Sequence, residues 1–162
     1  DEPTTALDVT TQAHILATLR RLCKSQGVAA VYVSHDLAVI KDLVDRVMVM
    51  YAGRIVETAT RDALFSRPSH PYTRGLLAAI PDVAGRRELR AIGGHAPAPG
   101  QRPQGCGFGP RCERFRAGCS QQEPLLQPLS PGHEVACLAP HGQPLQRIAL
   151  APIAAVDART DK

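Results

Sequence analysis

The pattern of apolar and polar residues predicts regular helices and strands over the first half of the chain. Between about residues 10 and 26, apolar side chains recur every three or four positions, which is the spacing of one helix face. The apolar run over residues 28–33 is short and continuous, which is typical of a strand buried on both faces of a sheet. Residues 37–43 return to helical spacing, with Asp36 as the expected N-cap.

The same pattern next predicts a β-hairpin over residues 46–57, whose turn lies at residues 51–53. Thr60 is placed to cap a short helix, and Pro71 suits the first turn of a helix over residues 72–80. Helices alternating with strands indicate an α/β fold. A parallel sheet needs more strands than these, so we expect the chain to be the C-terminal part of a longer polypeptide.

Composition divides the chain near residue 80. Residues 1–80 contain three prolines and three glycines, whereas residues 81–162 contain eleven and ten, together with four of the five cysteines. Because proline fixes φ and glycine favours turns, the second half is not expected to form long regular elements. We expect a small, loop-rich extension whose shape is held by something other than a large hydrophobic core. It would contain a connector over residues 92–100 and be followed by a flexible tail or linker over residues 141–162.

Charge and hydropathy exclude several classes of protein. The net charge is +4, and the basic residues are scattered along the chain. A nucleic-acid binder concentrates positive charge and adds aromatic side chains, which are only 4% of this sequence, so no nucleic-acid partner is expected. No apolar run approaches the roughly 18 residues of a membrane span, and the first residues do not resemble a signal peptide. We therefore expect reduced cysteines in a cytosolic setting.

Two adjacent carboxylates, Asp1 and Glu2, open the chain. Like charges repel, so such a pair makes chemical sense when one carboxylate faces a cation and the other a water molecule. A nucleotide-bound Mg²⁺ prefers carboxylate oxygen, and a second carboxylate nearby can polarise the water that attacks a γ-phosphate. His35 follows the predicted strand 28–33, at the sheet edge where ligands of α/β folds bind. An imidazole there can hydrogen-bond a phosphate oxygen or the attacking water.

Together these residues resemble the ATPase subunit of ABC transporters. Asp1-Glu2 resembles the end of the Walker B motif, residues 6–8 resemble the D-loop, and His35 resembles the switch histidine. The resemblance covers residues 1–65 and implies the C-terminal part of a P-loop ABC ATPase domain. It implies that Asp1 holds Mg²⁺ through water, that Glu2 is the catalytic base, that His35 contacts the γ-phosphate of ATP, and that Asp8 couples two ATPase domains at the nucleotide.

The phosphate-binding loop of that family does not occur in this sequence. No G-x-x-x-x-G-K-[ST] motif is present, and the signature sequence and glutamine loop are also missing. The amides and lysine of that loop hold the nucleotide phosphates. We therefore expect the chain alone to be inactive, and the complete polypeptide to bind and hydrolyse ATP.

Residues 67–81 resemble a segment of the oligopeptide, dipeptide and nickel import branch of the ABC family, with His70-Pro71-Tyr72-Thr73 as its most specific part. From the residues alone, the segment is also compatible with a simple helix start that exposes His70 and packs Tyr72 in the core. We interpret residues 66–140 as an extension of the transporter type.

Four cysteines of this extension are separated by five, six and seventeen residues: Cys106, Cys112, Cys119 and Cys137. Zinc sites usually contain a close C-x₂₋₄-C pair, which is missing here, and four cysteines can also ligate an iron–sulfur cluster. Spacing does not choose the metal, so a cluster, zinc and simple reduced thiols stay open. His133 would be a ligand in a zinc site or a turn residue after Gly132, and Cys23 is expected to pack on the first helix.

The cysteine segment also resembles that of peptide-import ATPases, which implies a [4Fe–4S] cluster held by the four cysteines. The whole resemblance implies an ATPase at the cytoplasmic face of the bacterial plasma membrane that energises import of peptides, nickel or glutathione-like solutes. Its implied partners are a second ATPase domain, transmembrane permease subunits and, indirectly, a substrate-binding protein. Two alternatives remain, a soluble ABC ATPase outside transport and a metal-binding interaction module built on an ATPase remnant.

Overall fold

The computed structural model describes residues 1–80 and 91–142 of the chain. The elements are α1 (Val9–Gln26), α2 (Leu37–Leu43), β1 (Arg46–Tyr51), β2 (Arg54–Thr60), α3 (Arg61–Ser66), α4 (Pro71–Ala78), a 3₁₀ turn (Gly109–Arg111), α5 (Ala117–Gln121), β3 (Gln127–Ser130) and β4 (His133–Val135). The predicted mixture of helices and strands is therefore confirmed. Nearly all of the predicted tail over residues 141–162 lies outside the described residues.

The strands form one antiparallel sheet in the order β1-β2-β4-β3. β1 and β2 form the predicted hairpin, in which Val47 lies opposite Ala59. β4 pairs with the other edge of β2 and places Val135 opposite Glu57. Within residues 1–80 and 91–142 every strand pair is antiparallel, and the sequence predicted too few strands for a parallel sheet. The observed sheet instead joins the first half of the chain to the cysteine-rich second half.

The core lies where the β1–β2 hairpin meets α3, α4 and the 3₁₀ turn. Ala59 of β2 and Leu64 of α3 are completely buried. Tyr51, Tyr72 and Phe108 form an aromatic cluster, in which the Phe108 ring centroid lies 5.2 Å from Tyr51 and 5.4 Å from Tyr72. The rings are tilted or edge-on, which is the favoured geometry for aromatic pairs. The cluster is contributed by both halves of the chain, so they share one core.

The strand predicted over residues 28–33 is not formed. These residues have no regular secondary structure, and Val28, Val31 and Val33 are 59%, 82% and 52% exposed. A strand exists only through hydrogen bonds to a neighbouring strand, and none of the four described strands runs beside this segment. The prediction was wrong because an apolar run shows only that the segment could be buried. It does not show that a neighbouring strand is present to pair with it.

Helix α1 covers nearly the range of about residues 10–26 that the apolar spacing predicts. The Asp8 side chain caps its first turn, and Gly27, with φ of 63°, closes it in the left-handed conformation that glycine adopts readily. None of its residues is buried, and Cys23 is only half-buried, so the expected packing of Cys23 is incomplete. The predicted connector over residues 92–100 contains no helix or strand.

Candidate functional site

The first residues of the chain are bound to the segment that precedes His35. The backbone N–H of Glu2 donates to the carbonyl of Val33 at 2.9 Å. Thr4 is 3% exposed, and its hydroxyl hydrogen-bonds the hydroxyl of Tyr32 at 2.8 Å. These two contacts hold the loop against residues 32–33 and thereby place Glu2 beside His35.

Glu2 and His35 form a close side-chain pair. Glu2 Oε1 lies 2.5 Å from His35 Nδ1, and the Thr5 hydroxyl donates to Glu2 Oε2 at 3.1 Å. The hydrogen bond to His35 lowers the pKa of Glu2, with the bond from Thr5 as a second cause, and the same bond to Glu2 raises the pKa of His35. The backbone of Glu2 has a φ of 39°, an uncommon conformation for a residue other than glycine. The pair therefore favours an ionised carboxylate beside a protonated imidazole.

The other two acidic candidates have different surroundings. Both Asp8 oxygens are engaged locally: Oδ1 accepts from the backbone of Thr10 and Thr11 at 3.1 and 2.9 Å, and Oδ2 accepts from the Thr11 hydroxyl at 2.7 Å. These bonds lower the pKa of Asp8 and orient the loop that leads into α1. Asp1 is solvent-exposed. The structure thus pairs Glu2 with His35 and gives Asp8 a capping contact.

The cysteine segment folds so that residues distant in sequence lie side by side. The backbone N–H of Cys106 donates to the carbonyl of Cys119 at 2.7 Å. This approach requires Gly105, because a Cβ there would lie 2.4 Å from the same carbonyl oxygen, and its φ of 75° is left-handed. The 3₁₀ turn then carries the chain from Cys106 to Cys112.

Three of these thiols, those of Cys106, Cys112 and Cys119, line one cavity of about 330 Å³. The fourth, Cys137, accepts a hydrogen bond from the Ala139 backbone at 3.4 Å. Burial raises the pKa of Cys137 to about 12, and the nearby thiols of the other three contribute to the same shift. Burial also raises the pKa of Cys106 and Cys112. All four cysteines are free of disulfides, and those with raised pKa are protonated at neutral pH.

This arrangement does not fit a single metal ion. Among residues 1–80 and 91–142, no three Cys, His, Asp or Glu side chains lie close enough together to hold one. The donor set itself, soft sulfur around a shared cavity, is of the kind that iron–sulfur clusters use. A cluster also separates its ligand sulfurs more widely than one ion does. The chemistry of the four thiols is therefore compatible with an iron–sulfur cluster.

A buried carboxylate that the sequence interpretation did not single out lies between the two halves. Glu57 on β2 is 0% exposed. Its Oε1 accepts from the Ser69 backbone and from His133 Nε2, both at 2.7 Å, and its Oε2 accepts from the His70 backbone at 2.9 Å. The prediction for His133 was wrong, because it is neither in a turn nor a metal ligand but buried on β4. The available signal was a charged residue inside an apolar strand.

His70 is also buried, so the alternative that exposes it is wrong. It is 1% exposed, caps α4, and its Nδ1 accepts from the Tyr72 backbone at 3.0 Å. Burial lowers the pKa of His70 to about 4, which keeps the imidazole neutral and able to accept. The specific residues of the His70-Pro71-Tyr72 segment therefore stabilise the joint between the halves, through a cap and the aromatic cluster.

Comparison with known proteins decides between the alternatives for this segment. Residues 56–119 match the family described as the C-terminal region of oligopeptide/dipeptide transporters. This region of the chain belongs to that family. The oligopeptide transport ATP-binding protein AppD of Bacillus subtilis is 46% identical over 138 residues, which are 85% of this chain and 42% of that protein. A protein of Brucella abortus named as a peptide import ATP-binding protein is also 46% identical over 138 residues, 41% of its length.

A third relative, from Brucella ovis, carries the same type of name and is 44% identical over 140 residues, 85% of this chain and 44% of the relative. The resemblance recognised in the sequence is therefore confirmed. The chain spans less than half the length of the curated relatives it matches. In the part of the chain that the structure describes, no helix has the length and apolar character needed to cross a membrane.

Proposed function

We propose that this chain is the C-terminal part of an ATP-hydrolysing subunit that energises peptide import. Residues 1–65 would complete the ATPase domain, residues 66–140 would form the transporter-type extension, and residues 141–162 a tail or linker. The observation that carries the proposal is the contact between Glu2 and His35 at 2.5 Å, in a chain whose relatives are named as peptide transport ATP-binding proteins. Those names favour transport over a soluble ABC ATPase.

The paired side chains have the properties that γ-phosphate hydrolysis needs. The ionised Glu2 carboxylate can accept a hydrogen bond from water and orient it, and its lowered pKa favours orientation over full proton removal. A protonated His35 carries positive charge that can stabilise the oxygens of the γ-phosphate. Asp1 would bind nucleotide-associated Mg²⁺ through water, and Mg²⁺ would neutralise phosphate charge. Asp8, whose contacts with Thr10 and Thr11 fix its loop, would couple this nucleotide site to that of the second ATPase domain.

The proposed partners follow from the same assignment. A second ATPase domain would meet this one near the loop before α1, and permease subunits would receive the resulting motion, with a substrate-binding protein acting indirectly. The proposed location is the cytoplasmic face of the plasma membrane, as a peripheral subunit. The cargo class, whether peptide, nickel or glutathione-like solute, would be set by the other subunits.

The variant Glu2→Gln in the full-length polypeptide tests the catalytic assignment. We expect ATP binding to be retained and hydrolysis to fall by about two orders of magnitude or more, because the carboxylate that orients water is lost. Glu113→Gln, at an exposed position of the extension, is the matched control and is expected to leave turnover unchanged. Turnover of Glu2→Gln near the wild-type rate would contradict the proposal.

For the cysteine segment, we propose that Cys106, Cys112, Cys119 and Cys137 hold an iron–sulfur cluster. The support is that three of these four thiols line one cavity of about 330 Å³, and that the buried thiol of Cys137 lies near them. The cluster would supply a covalent cross-link, and binding would release the thiol protons. Anaerobic purification of the full-length protein should show broad visible absorption and bound iron, which Cys112→Ser removes and Cys23→Ser keeps. Wild-type protein without iron would end this assignment.

A further inference from the structure

A cavity of about 280 Å³ opens between the β1–β2 hairpin and the segment that follows α5. We call it the Arg102 cavity. Its buried floor is apolar and includes Tyr51, Val56 and Phe108, and its mouth carries Leu125 and Leu126, which are 75% and 38% exposed. This volume lies just below the range of about 300–1,000 Å³ that is typical of small-molecule sites. An occupant must therefore be small and mainly apolar.

Three charged side chains stand at the edge of this floor. Glu123 Oε1 lies 2.7 Å from Arg102 Nη2 and 3.3 Å from Arg54 Nε. Two guanidinium groups thus share one carboxylate, which leaves one positive charge in excess. Each guanidinium has five N–H donors in a planar fork, so one carboxylate cannot satisfy both. The excess is a feature of the cavity itself, since all three residues line it.

The guanidinium of Arg102 is held in place, and one of its donors is unsatisfied. Its Nε is buried and has no hydrogen-bond partner among the residues that the structure describes. A buried donor without a partner is rare in proteins, and because this one is closed to solvent, an occupant of the cavity would meet the outer N–H groups of the guanidinium. Gly107 makes room for this group, because a Cβ there would lie 3.0 Å from Arg102 Nε and 3.3 Å from Nη2. The side chain therefore occupies a fixed, partly desolvated position beside the apolar floor.

We propose that the Arg102 cavity binds a small molecule with one carboxylate and a short branched apolar group. The carboxylate completes the charge balance of Arg54, Arg102 and Glu123, and the apolar group covers the floor between Phe108 and Leu126. A charge-assisted bond to the partly buried guanidinium of Arg102 supplies both affinity and orientation. Nothing in ATP hydrolysis uses this cavity, so the proposal does not depend on the catalytic assignment.

Titration calorimetry on the full-length protein, free of nucleotide, tests the proposal with two probes of equal shape. These are 4-methylpentanoate, which is charged, and 4-methylpentanamide, which is neutral. We expect the carboxylate to bind at least about tenfold more tightly than the amide, the factor that corresponds to one charge-assisted hydrogen bond. Equal affinity for the two probes, or no binding of either, would overturn the proposal.

Matched variants locate the binding. Arg102→Gln removes the charge, and Gly107→Ala keeps every charge but pushes the guanidinium aside; each is expected to weaken binding of 4-methylpentanoate about tenfold or more. Glu123→Gln removes the competing carboxylate and is expected to tighten binding. Arg21→Gln removes an exposed charge on α1 and is the control. Circular dichroism of each variant establishes folding, and unchanged affinity in both folded Glu123→Gln and Gly107→Ala would exclude this site.

The same assay distinguishes two sources of the carboxylate. Leucine has the same branched group and adds an ammonium. Glu123 at the cavity edge could accept a hydrogen bond from that ammonium. Tighter binding of leucine than of 4-methylpentanoate supports the site as one for an amino acid or peptide terminus. Weaker binding of leucine supports it as one for a short acyl carboxylate.

Discussion

Replacing Glu57 with alanine should destabilise the protein more than any other single loss of a polar side chain in the described sheet. The change leaves three buried donors without an acceptor: the backbone N–H groups of Ser69 and His70, and His133 Nε2. An unsatisfied buried donor costs about 1–3 kcal/mol, so three of them together cost at least about 3 kcal/mol. We expect a loss of about 4 kcal/mol, a large share of the roughly 5–15 kcal/mol of a typical domain.

Urea unfolding followed by circular dichroism measures this loss. With a denaturant slope of about 2 kcal/mol per molar urea, the midpoint should fall by about 2 M. Glu134→Ala is the matched control, because Glu134 is the neighbouring, half-buried position on β4 and is expected to change stability by less than about 0.5 kcal/mol. If the free energy of unfolding of Glu57→Ala lies within about 1 kcal/mol of the wild-type value, the buried carboxylate does not hold the two halves of the chain together.

Three further predictions concern the other sites. Glu2→Gln should return the pKa of His35 toward its ordinary value of 6.5, since the hydrogen bond to Glu2 raises it. An NMR titration of the His35 ring measures this pKa. An unchanged pKa in the variant would refute the contact between the two side chains. In the wild type, the contribution of His35 to stability should be complete below pH 6.5 and be lost as the pH rises through its raised pKa. Gly105→Ala should lower the unfolding temperature, because its Cβ would lie 2.4 Å from the Cys119 carbonyl oxygen. Gly93→Ala, where a Cβ has open space around it, is the control. Equal unfolding temperatures of the two variants would contradict the close approach.

Local features of this fold were predictable because short-range chemistry decides them. The Asp36 cap, the Gly27 helix end and the β1–β2 hairpin each depend on a few neighbouring residues. Pairing between distant segments was not predictable in the same way. The pattern over residues 28–33 indicated a buried strand, yet burial requires a partner that the pattern does not contain. The pairing of β4 with β2 was missed because three residues of β4 carry too little periodicity to reveal a strand.

The candidate site shows the same division. The proximity of Glu2 and His35 agrees with the roles that the family resemblance implies for them, because both would act at the γ-phosphate of one ATP. Glu57 and His133 were missed for a physical reason: a charged residue is normally assigned to the surface, and only its partners make its burial favourable. A carboxylate that binds two backbone amides and one imidazole is such a case.

The Glu57 contacts also explain how a small, proline-rich and glycine-rich extension keeps one structure. The extension contributes few large apolar side chains, so hydrophobic burial alone fixes its position weakly. Hydrogen bonds are directional, and those of Glu57 require that β2, the start of α4 and β4 meet in one arrangement. The aromatic cluster adds buried area beside that joint, and a backbone hydrogen bond joins Cys106 to Cys119. Specificity of position therefore comes mainly from polar contacts, and the cysteine segment is held in place by a strand of the preceding hairpin.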